Sequence, residues 1–535
     1  MASQALSRVR GILVFIALGI LVFTVATNMS LLTTTQSAIA DELNSFETTS
    51  WFTSAFLITM SALGPLNGKL SSVFPPRSCI SLSAMVLALG SLICAVSNRF
   101  GSFVAGRCVQ GAGSSGVFTI SLIIVLELTG SQRRGLGIGL LNTGFTIGVA
   151  VGATAAGALL PVTGWRALFW LQVPACVVPG LILLFALPGD FHGGKKGVEN
   201  GKADDTWKRV RNLDYLGAVL LTTSLVLVLY AMAAPKKIPI WPIVVSAFVL
   251  ILFVNNEVFL AQDPIIPVSL LRSRGLLLTC LGTLGFMAGR WSVLFYEPTY
   301  ALAVRTWAPS AAGAMLVPTN FGFALGGLSV GYLHIKRHGS FYAPTLVFYL
   351  LFPITLVLLG LLSTGSVPAW AIVLILFLCG FATGAAMNYN LAHLLHITPK
   401  ETHYVATALL STFRGFAGSF GSAIGGGVFQ RKLTTSLTSK LDNANLTNPQ
   451  LVRELLGKPA LVDQLHGMER EIAIESYQDA LKILWLAMAA VAVVSFLCQA
   501  GTGWQGHSEK QILDEERRAL LGEGRRDDHV RDIED

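Results

Sequence analysis

The sequence predicts an all-α polytopic membrane protein, and three observations carry that prediction. Hydrophobic residues make up 53% of the 535-residue chain and charged residues only 13%, against about 25% charged in soluble domains. Mean hydropathy is +0.63, so the chain lacks the polar groups to cover a water-facing surface. Its apolar stretches also run to the roughly 20 residues that a helix needs to cross the hydrocarbon core, too long for barrel strands. The net charge of +8 reads as membrane topology rather than nucleic-acid binding.

Fourteen apolar segments follow one another, at about 11–33, 51–70, 79–97, 103–126, 137–160, 167–187, 214–234, 240–260, 276–302, 310–335, 343–363, 369–394, 406–429 and 480–502. Arg8 and Arg10 precede the first, which lacks a cleavage site and reads as a retained span. An even number of spans puts both termini on one side. With the N-terminus inside, the inner loops hold Lys69, Arg77, Arg133, Arg134, Lys336, Arg337 and a Lys/Arg-rich 188–212 segment, while the short outer loops hold Arg99, Arg166, Lys236, Lys237 and Arg305. That bias places both termini in the cytoplasm. The long outer segment 430–479 is also basic, but long loops translocate regardless of charge. It contains the sequon Asn445-Leu446-Thr447 on the expected outer side.

The halves repeat. The second span ends in Gly64-Pro65-Leu66-Asn67-Gly68-Lys69 and the tenth in Gly327-Leu328-Ser329-Val330-Gly331 before Lys336 and Arg337. The fifth spaces Gly144, Gly148 and Gly152 by four, as the thirteenth does Gly421 and Gly425. Spans 1–6 therefore match spans 9–14, with two inserted spans between. The expected division is a six-helix bundle over 1–187, a linker 188–213, the inserted pair 214–260, a second six-helix bundle 261–502 and a tail 503–535.

Several motifs resemble the major facilitator superfamily, specifically the fourteen-span drug:proton antiporter branch of fungi. Gly106-Arg107-Cys108-Val109-Gln110-Gly111-Ala112-Gly113 is similar to that family's Arg-x-x-Gln-Gly-x-Gly motif in span 4. Gly164-Trp165-Arg166-Ala167-Leu168-Phe169, Leu213-Asp214-Tyr215-Leu216-Gly217, Asp263–Pro267, Tyr296-Glu297-Pro298, Pro309-Ser310-Ala311-Ala312-Gly313 and Arg414 before its glycines resemble the family at the start of span 6, the start of span 7, the segment before span 9, the end of span 9, the start of span 10 and span 13. The resemblance implies a major facilitator fold, with two six-helix bundles, two inserted helices and alternating access. Three departures stand out: Ser72 where the family has Asp in the loop after span 2, Asn28 where this branch has Asp, and Gly152-Ala153 where antiporters have Gly-Pro. They bear on the inner latch and on proton antiport, not on the fold.

The candidate site residues are the charges and polar stripes inside the spans. A cation at bilayer depth costs about 2.5–3.5 kcal/mol on insertion scales and marks a functional position by default. Arg107, with Gln110 beside it, is expected to face a wet central cavity; the alternative is that it only ties helices together. Thr24, Thr27, Asn28, Thr34 and Thr35 form a stripe on span 1, read either as a substrate-facing wall or as hydroxyls satisfied by their own helix carbonyls. Arg290 and Glu297 are seven residues apart, on one face of span 9, with Tyr296 and Tyr300 near its outer end. Glu297 is the first candidate for a proton carrier, because apolar surroundings favour the protonated acid; the alternative is a hydrated outer position. Arg414 could bind an anionic group or brace a helix, and the resemblance favours bracing.

Glu127 with Arg133, and Gly68, Lys69 and Arg77, are expected at the inner gate. Gly144, Gly148 and Gly152 are expected to hold span 5 against a helix of the other half. His393 and His396 lack a third ligand, the seven cysteines lack a C-x-x-C pair, and no phosphate-binding loop is present. No metal, cofactor or enzyme activity is expected; a proton gradient would drive the cycle. The reading is a monomeric secondary transporter in the plasma membrane that exports a small organic molecule. Alternatives are a vacuolar basic amino-acid transporter and a non-transporting sensor with this fold. Arg107, Arg290 and Arg414 outnumber Glu297, which leans towards neutral or anionic cargo.

Overall fold

The computed structural model describes residues 8–128, 130–187, 214–234, 237–261, 273–333, 341–398, 403–446 and 448–503, except for a few side chains including those of 126, 127 and 130–143. The first half comprises α1 (Arg8–Ser30), α2 (Leu32–Glu42), α3 (Ser50–Val73), α4 (Pro76–Val96), α5 (Phe100–Leu128) and α6 (Gly130–Ala186). A hairpin of α7 (Tyr215–Met232) and α8 (Ile240–Asn255) follows. The second half comprises α9 (Arg274–Ala303), α10 (Pro309–Ala314), α11 (Leu316–Leu333), α12 (Tyr342–Leu362), α13 (Ala369–Ile397), α14 (His403–Asn443), α15 (Pro449–Gly457) and α16 (Gly467–Ala500).

The breaks have local causes. Gly164 (φ 72°) divides α6 into two arms, a conformation open to glycine because it carries no Cβ. Pro318 lacks an N–H and its ring crowds the carbonyl four residues back, which is where α10 ends at Ala314. Between α1 and α2 the hydroxyls of Thr33, Thr34 and Thr35 turn back onto the carbonyls of Ser30 and Leu31, a pattern that bends helices. Thr34 and Thr35 therefore belong to a second helix, not to one continuous first span. Asp214 caps α7 through Gly217 N at 2.8 Å and also accepts from Asn256 Nδ2 at 2.7 Å, tying the two ends of the hairpin together.

Among the described residues, eleven helices are long and apolar enough to cross a membrane, counting both arms of α6 as one. α3, apolar over Trp51–Gly64, and α14 are not among them, and each carries serines that face the other. Ser54 Oγ lies 2.8 Å from Ser422 Oγ, Ser61 Oγ lies 3.0 Å from Ser419 Oγ, and Ser61 donates to Gly415 O at 2.9 Å.

The two halves share one packing order. In the first, α1 lies on α6, α3 on α5, α4 on α5, and α4 on α6; in the second, α9 lies on α14, α11 on α13, α12 on α13, and α12 on α16. Glycines make these seams close. Gly111 of α5 sits on α3 at Phe56 and Gly113 on α4 at Leu87, while Gly380 and Gly384 of α13 sit on α11 at Thr319 and Phe323. The α7–α8 hairpin flanks the α3–α14 seam through Ile58, Leu229, Ala233 and Ala423.

Towards the end of the chain α14 runs on to Asn443 and α16 begins at Gly467, and α15 lies against both extensions. Lys440 on α14 pairs with Asp479 of α16 at 2.9 Å, and Tyr477 donates to Leu455 O of α15.

Candidate transport site

In the first half, Arg107 is fully buried within a ring of neutral groups. Its Nε donates to Phe52 O at 2.9 Å, Nη1 to Gln110 Oε1 at 2.8 Å and Asn28 Oδ1 at 3.1 Å, and Nη2 to Asn28 O at 3.3 Å. The guanidinium lies over the Phe56 ring at 4.4 Å. Asn28 Nδ2 donates to Gln172 Oε1 at 2.7 Å, and Gln110 Nε2 donates to Ser91 Oγ at 2.8 Å. The network joins α1, α3, α4, α5 and α6. The side chain thus faces the interior of its own bundle in this conformation, not the wet cavity expected for it. Gln172 and Ser91 were missed from the sequence, since neutral residues at isolated positions give no periodic signal.

The stripe, which runs from α1 into α2, is likewise turned inward. Thr24 donates to Ile20 O at 2.8 Å, Thr27 to Gly148 O at 3.4 Å, and Thr34 to Ala153 O at 3.2 Å. Instead, Met29, Ser30 and Thr33 meet Val149, Trp291, Leu294, Phe295 and Leu316 around a gap of about 150 Å³ between the halves, with no room for a water molecule. Phe118, Phe145 and Trp291 continue this closure edge to face, with centroids 5.4 and 6.4 Å apart, and Trp291 stacks on Phe295 at 5.5 Å.

The second half holds Arg290, Glu297 and Arg414. Arg290 is 5% exposed; its Nη2 donates to Asn320 Oδ1 at 2.9 Å, its Nη1 to Thr383 Oγ1 at 3.3 Å, and it lies over Phe323 at 4.1 Å. Glu297 is fully buried, not at a hydrated interface, and neither carboxylate oxygen has a hydrogen-bond partner among the described residues. Tyr296 packs on Phe429 at 5.3 Å, and Tyr300 donates to Thr364 O at 3.0 Å. Arg414 is half-buried and makes no hydrogen bond or ion pair among the described residues, so nothing there shows the bracing that the resemblance favours.

The halves are joined where α2 meets the segment after α15. Lys458, just beyond α15, pairs with Asp41 of α2 and lies 5.5 Å from the Phe46 ring centre. Glu42 accepts from Trp165 Nε1 at 2.6 Å and pairs with Arg166, whose Nη2 also donates to Ser97 O at 2.8 Å. Asn445, exposed with φ 55°, sits in the turn between α14 and α15.

The glycine seam requires a correction. Gly148 and Gly152 face α1 of their own half: a Cβ on Gly148 would lie 2.7 Å from Ala26 Cβ, and one on Gly152 would lie 2.8 Å from Thr27 Cα. Gly144 has nothing within 4 Å. The crossing to the other half lies further along α6, where Ala153 and Gly157 meet Gly313 and Pro309 of α10. Of the inner-gate residues, Gly68 approaches Thr119 of α5, Lys69 is half-buried on α3 and Arg77 opens α4. The side chains of Glu127 and Arg133 lie outside the described residues.

A family model, the Major Facilitator Superfamily, matches residues 18–422. The chain belongs to this superfamily. It is 26% identical over 511 residues to the Acurin A biosynthesis cluster MFS-type transporter of Aspergillus aculeatus, covering 91% of this chain and 88% of the relative. It is 26% identical over 489 residues to a multidrug resistance protein of Schizosaccharomyces pombe, covering 89% of each. It is also 26% identical over 450 residues to vacuolar basic amino acid transporter 2 of Saccharomyces cerevisiae, covering 81% of this chain and 93% of that one. Among solved structures, it resembles a bacterial homologue of the human lysosomal transporter Spinster in an inward-facing, unoccupied conformation, with TM-score 0.64, 13% identity and coverage of 94% and 100%.

As a Major Facilitator Superfamily transporter, the chain is an integral multi-pass membrane protein and not an enzyme. The superfamily's two-bundle plan accounts for the matched packing order. The fourth-span motif serves here to knit one bundle together.

Proposed function

We propose that this transporter exports a small organic molecule, such as a secondary metabolite, toxin or drug, by alternating access coupled to protons. The relatives at about 26% identity include efflux pumps and multidrug resistance proteins, which supports the direction. The moving bodies are 1–187 and 261–502, with 214–260 riding beside the α3–α14 seam. The fourteen-span count fits the two arms of α6 and the serine-lined α3 and α14. On this reading both termini are cytoplasmic, the protein is a monomer in the plasma membrane, and Asn445 is glycosylated.

Glu297 is the observation that carries the coupling. An ionised carboxylate without a partner is far too costly to bury, so the closed arrangement favours the protonated acid. Opening of the cleft hydrates the group and lets the proton leave. The second half, which also carries Arg290 and Arg414, thereby couples charge to conformation, while Asn28, Gln110 and Arg107 hold the first half rigid.

The test is flux in reconstituted vesicles, using labelled organic acids, neutral compounds and amines, with and without an imposed pH gradient. Glu297→Gln should abolish gradient-driven accumulation while substrate exchange at equal pH persists. Full gradient-driven accumulation by that variant would remove Glu297 from the cycle, and no flux of any compound by the unaltered chain would favour a sensor.

A further inference from the structure

Among the described residues, Arg290 and Arg414 in the second half's helices pair with no anion. Arg290 has two hydrogen bonds, both to neutral oxygens, which leaves its charge uncompensated in a low-dielectric bundle. Arg414 lies on the α14 stripe Arg414, Gly418, Gly421 and Gly425, whose spacing puts all four on one face. That face packs on α9: a Cβ on Gly421 would lie 2.5 Å from Ala288 O, and one on Gly425 would lie 2.9 Å from Ser292 Oγ. Four residues along α14 thus answer to a similar advance along α9, so the helices run parallel. Arg414 comes off this seam about two turns before the crossing at Gly421, within electrostatic range of Arg290.

Between them the seam loosens. A Cβ on Gly418 would have only ordinary contacts, 3.5 Å from Leu57 and 3.7 Å from Trp291. Gly415 and Ser411, beside Arg414, are exposed. Arg290 is held by Asn320 and Thr383 and backed by Phe323, while Arg414 makes no hydrogen bond among the described residues. One fixed and one adjustable guanidinium with aromatic neighbours suit a planar anion on an apolar body.

We propose that Arg290 and Arg414 form a binding site for the carboxylate of an apolar, aromatic-sized organic acid on the second-half wall of the cleft. The assignment rests on reading the cleft as the cargo path and names the chemistry of that cargo. A carboxylate takes both lone-pair faces to the two guanidiniums, and Trp291 and Phe323 offer surface for the ring. An amine or a basic amino acid would meet two like charges.

The test is the melting temperature of the purified full-length chain in detergent, titrated with benzoate, 1-naphthoate or indole-3-acetate. Each carboxylate has a matched arm with its neutral amide, and further arms use chloride or phosphate alone. At least one carboxylate should give a saturable rise that its amide does not. Arg414→Gln should weaken the apparent affinity about tenfold or more, and Arg414→Lys should recover part of it. Arg414 is half-buried and makes no hydrogen bond among the described residues, so the unliganded melting temperature should hardly change in either variant. No rise with any carboxylate, an equal rise with the amide, a rise unchanged in Arg414→Gln, or full replacement by chloride or phosphate would overturn the assignment. Vesicle flux is read separately: a naphthoate-induced rise without flux keeps the site and removes the export reading, and flux without carboxylate-selective stabilisation does the reverse.

Discussion

Arg107 shows how a charge can be tolerated in lipid without a counter-ion. Four hydrogen bonds and an aromatic face replace its water shell. Arg107→Ala should remove all of them and strand the Asn28 and Gln110 oxygens, a loss on the order of 3–5 kcal/mol. The expected result is a lower melting temperature in detergent together with lost flux; lost flux at an unchanged melting temperature would instead give Arg107 a direct role in the cleft. Glu42 lies beyond the first candidate span, Val9–Ser30. The hydrogen bond from Arg166 holds its carboxyl below the ordinary value of 4.5. A folded-state value below the unfolded one means that the stabilisation is present above about pH 4.5 and is lost as pH falls through the folded value. The melting temperature should therefore drop less steeply below pH 4.5 in Glu42→Gln than in the unaltered chain, and parallel pH profiles would sink this role.

At the scale of elements, the four-residue glycine run of α6 divides into positions with different neighbours. Gly152→Ala would drive a methyl into Thr27 and Ser30, an overpacking cost of about 1–3 kcal/mol. Gly144→Ala meets nothing within 4 Å and could gain up to about 1 kcal/mol of helix propensity. Melting temperatures of the two variants should thus move in opposite directions, and a shared loss would mean that Gly144 also lies in a seam. Here the sequence was legible only in part. The spacing of Gly144, Gly148 and Gly152 announced close packing, because small residues four apart lie on one helix face. It carried no information about which partner lies opposite, and that partner proved to be α1 of the same half. The helices themselves were readable from length and hydropathy, apart from the outward extensions of α14 and α16, whose mixed charge conceals their continuity with apolar spans.

At the scale of the whole molecule, closure of the face at α2 and α15 is a contact between halves that are distant in sequence. Asp41 and Lys458 touch there, and Gly457 lies against Phe46. An exposed ion pair contributes only about 0.2–1 kcal/mol, enough to bias an equilibrium between conformations without locking it. A disulfide in its place would lock it. In the doubly substituted chain Asp41→Cys/Lys458→Cys, oxidation should stop flux and a reducing agent should restore it; unimpaired flux with the disulfide formed would mean that this face does not open during the cycle.

Composition, span length, the repeat between halves and the presence of charged residues within spans were determined by the sequence alone, because the bilayer constrains the backbone of every spanning segment in the same way. Which charges are satisfied was decided only by the tertiary structure. Asn28 and Gln172 close around Arg107, whereas Glu297 and Arg414 have no hydrogen-bond partner among the described residues, since a buried group's partner comes from helices that pack beside it and not from its neighbours along the chain.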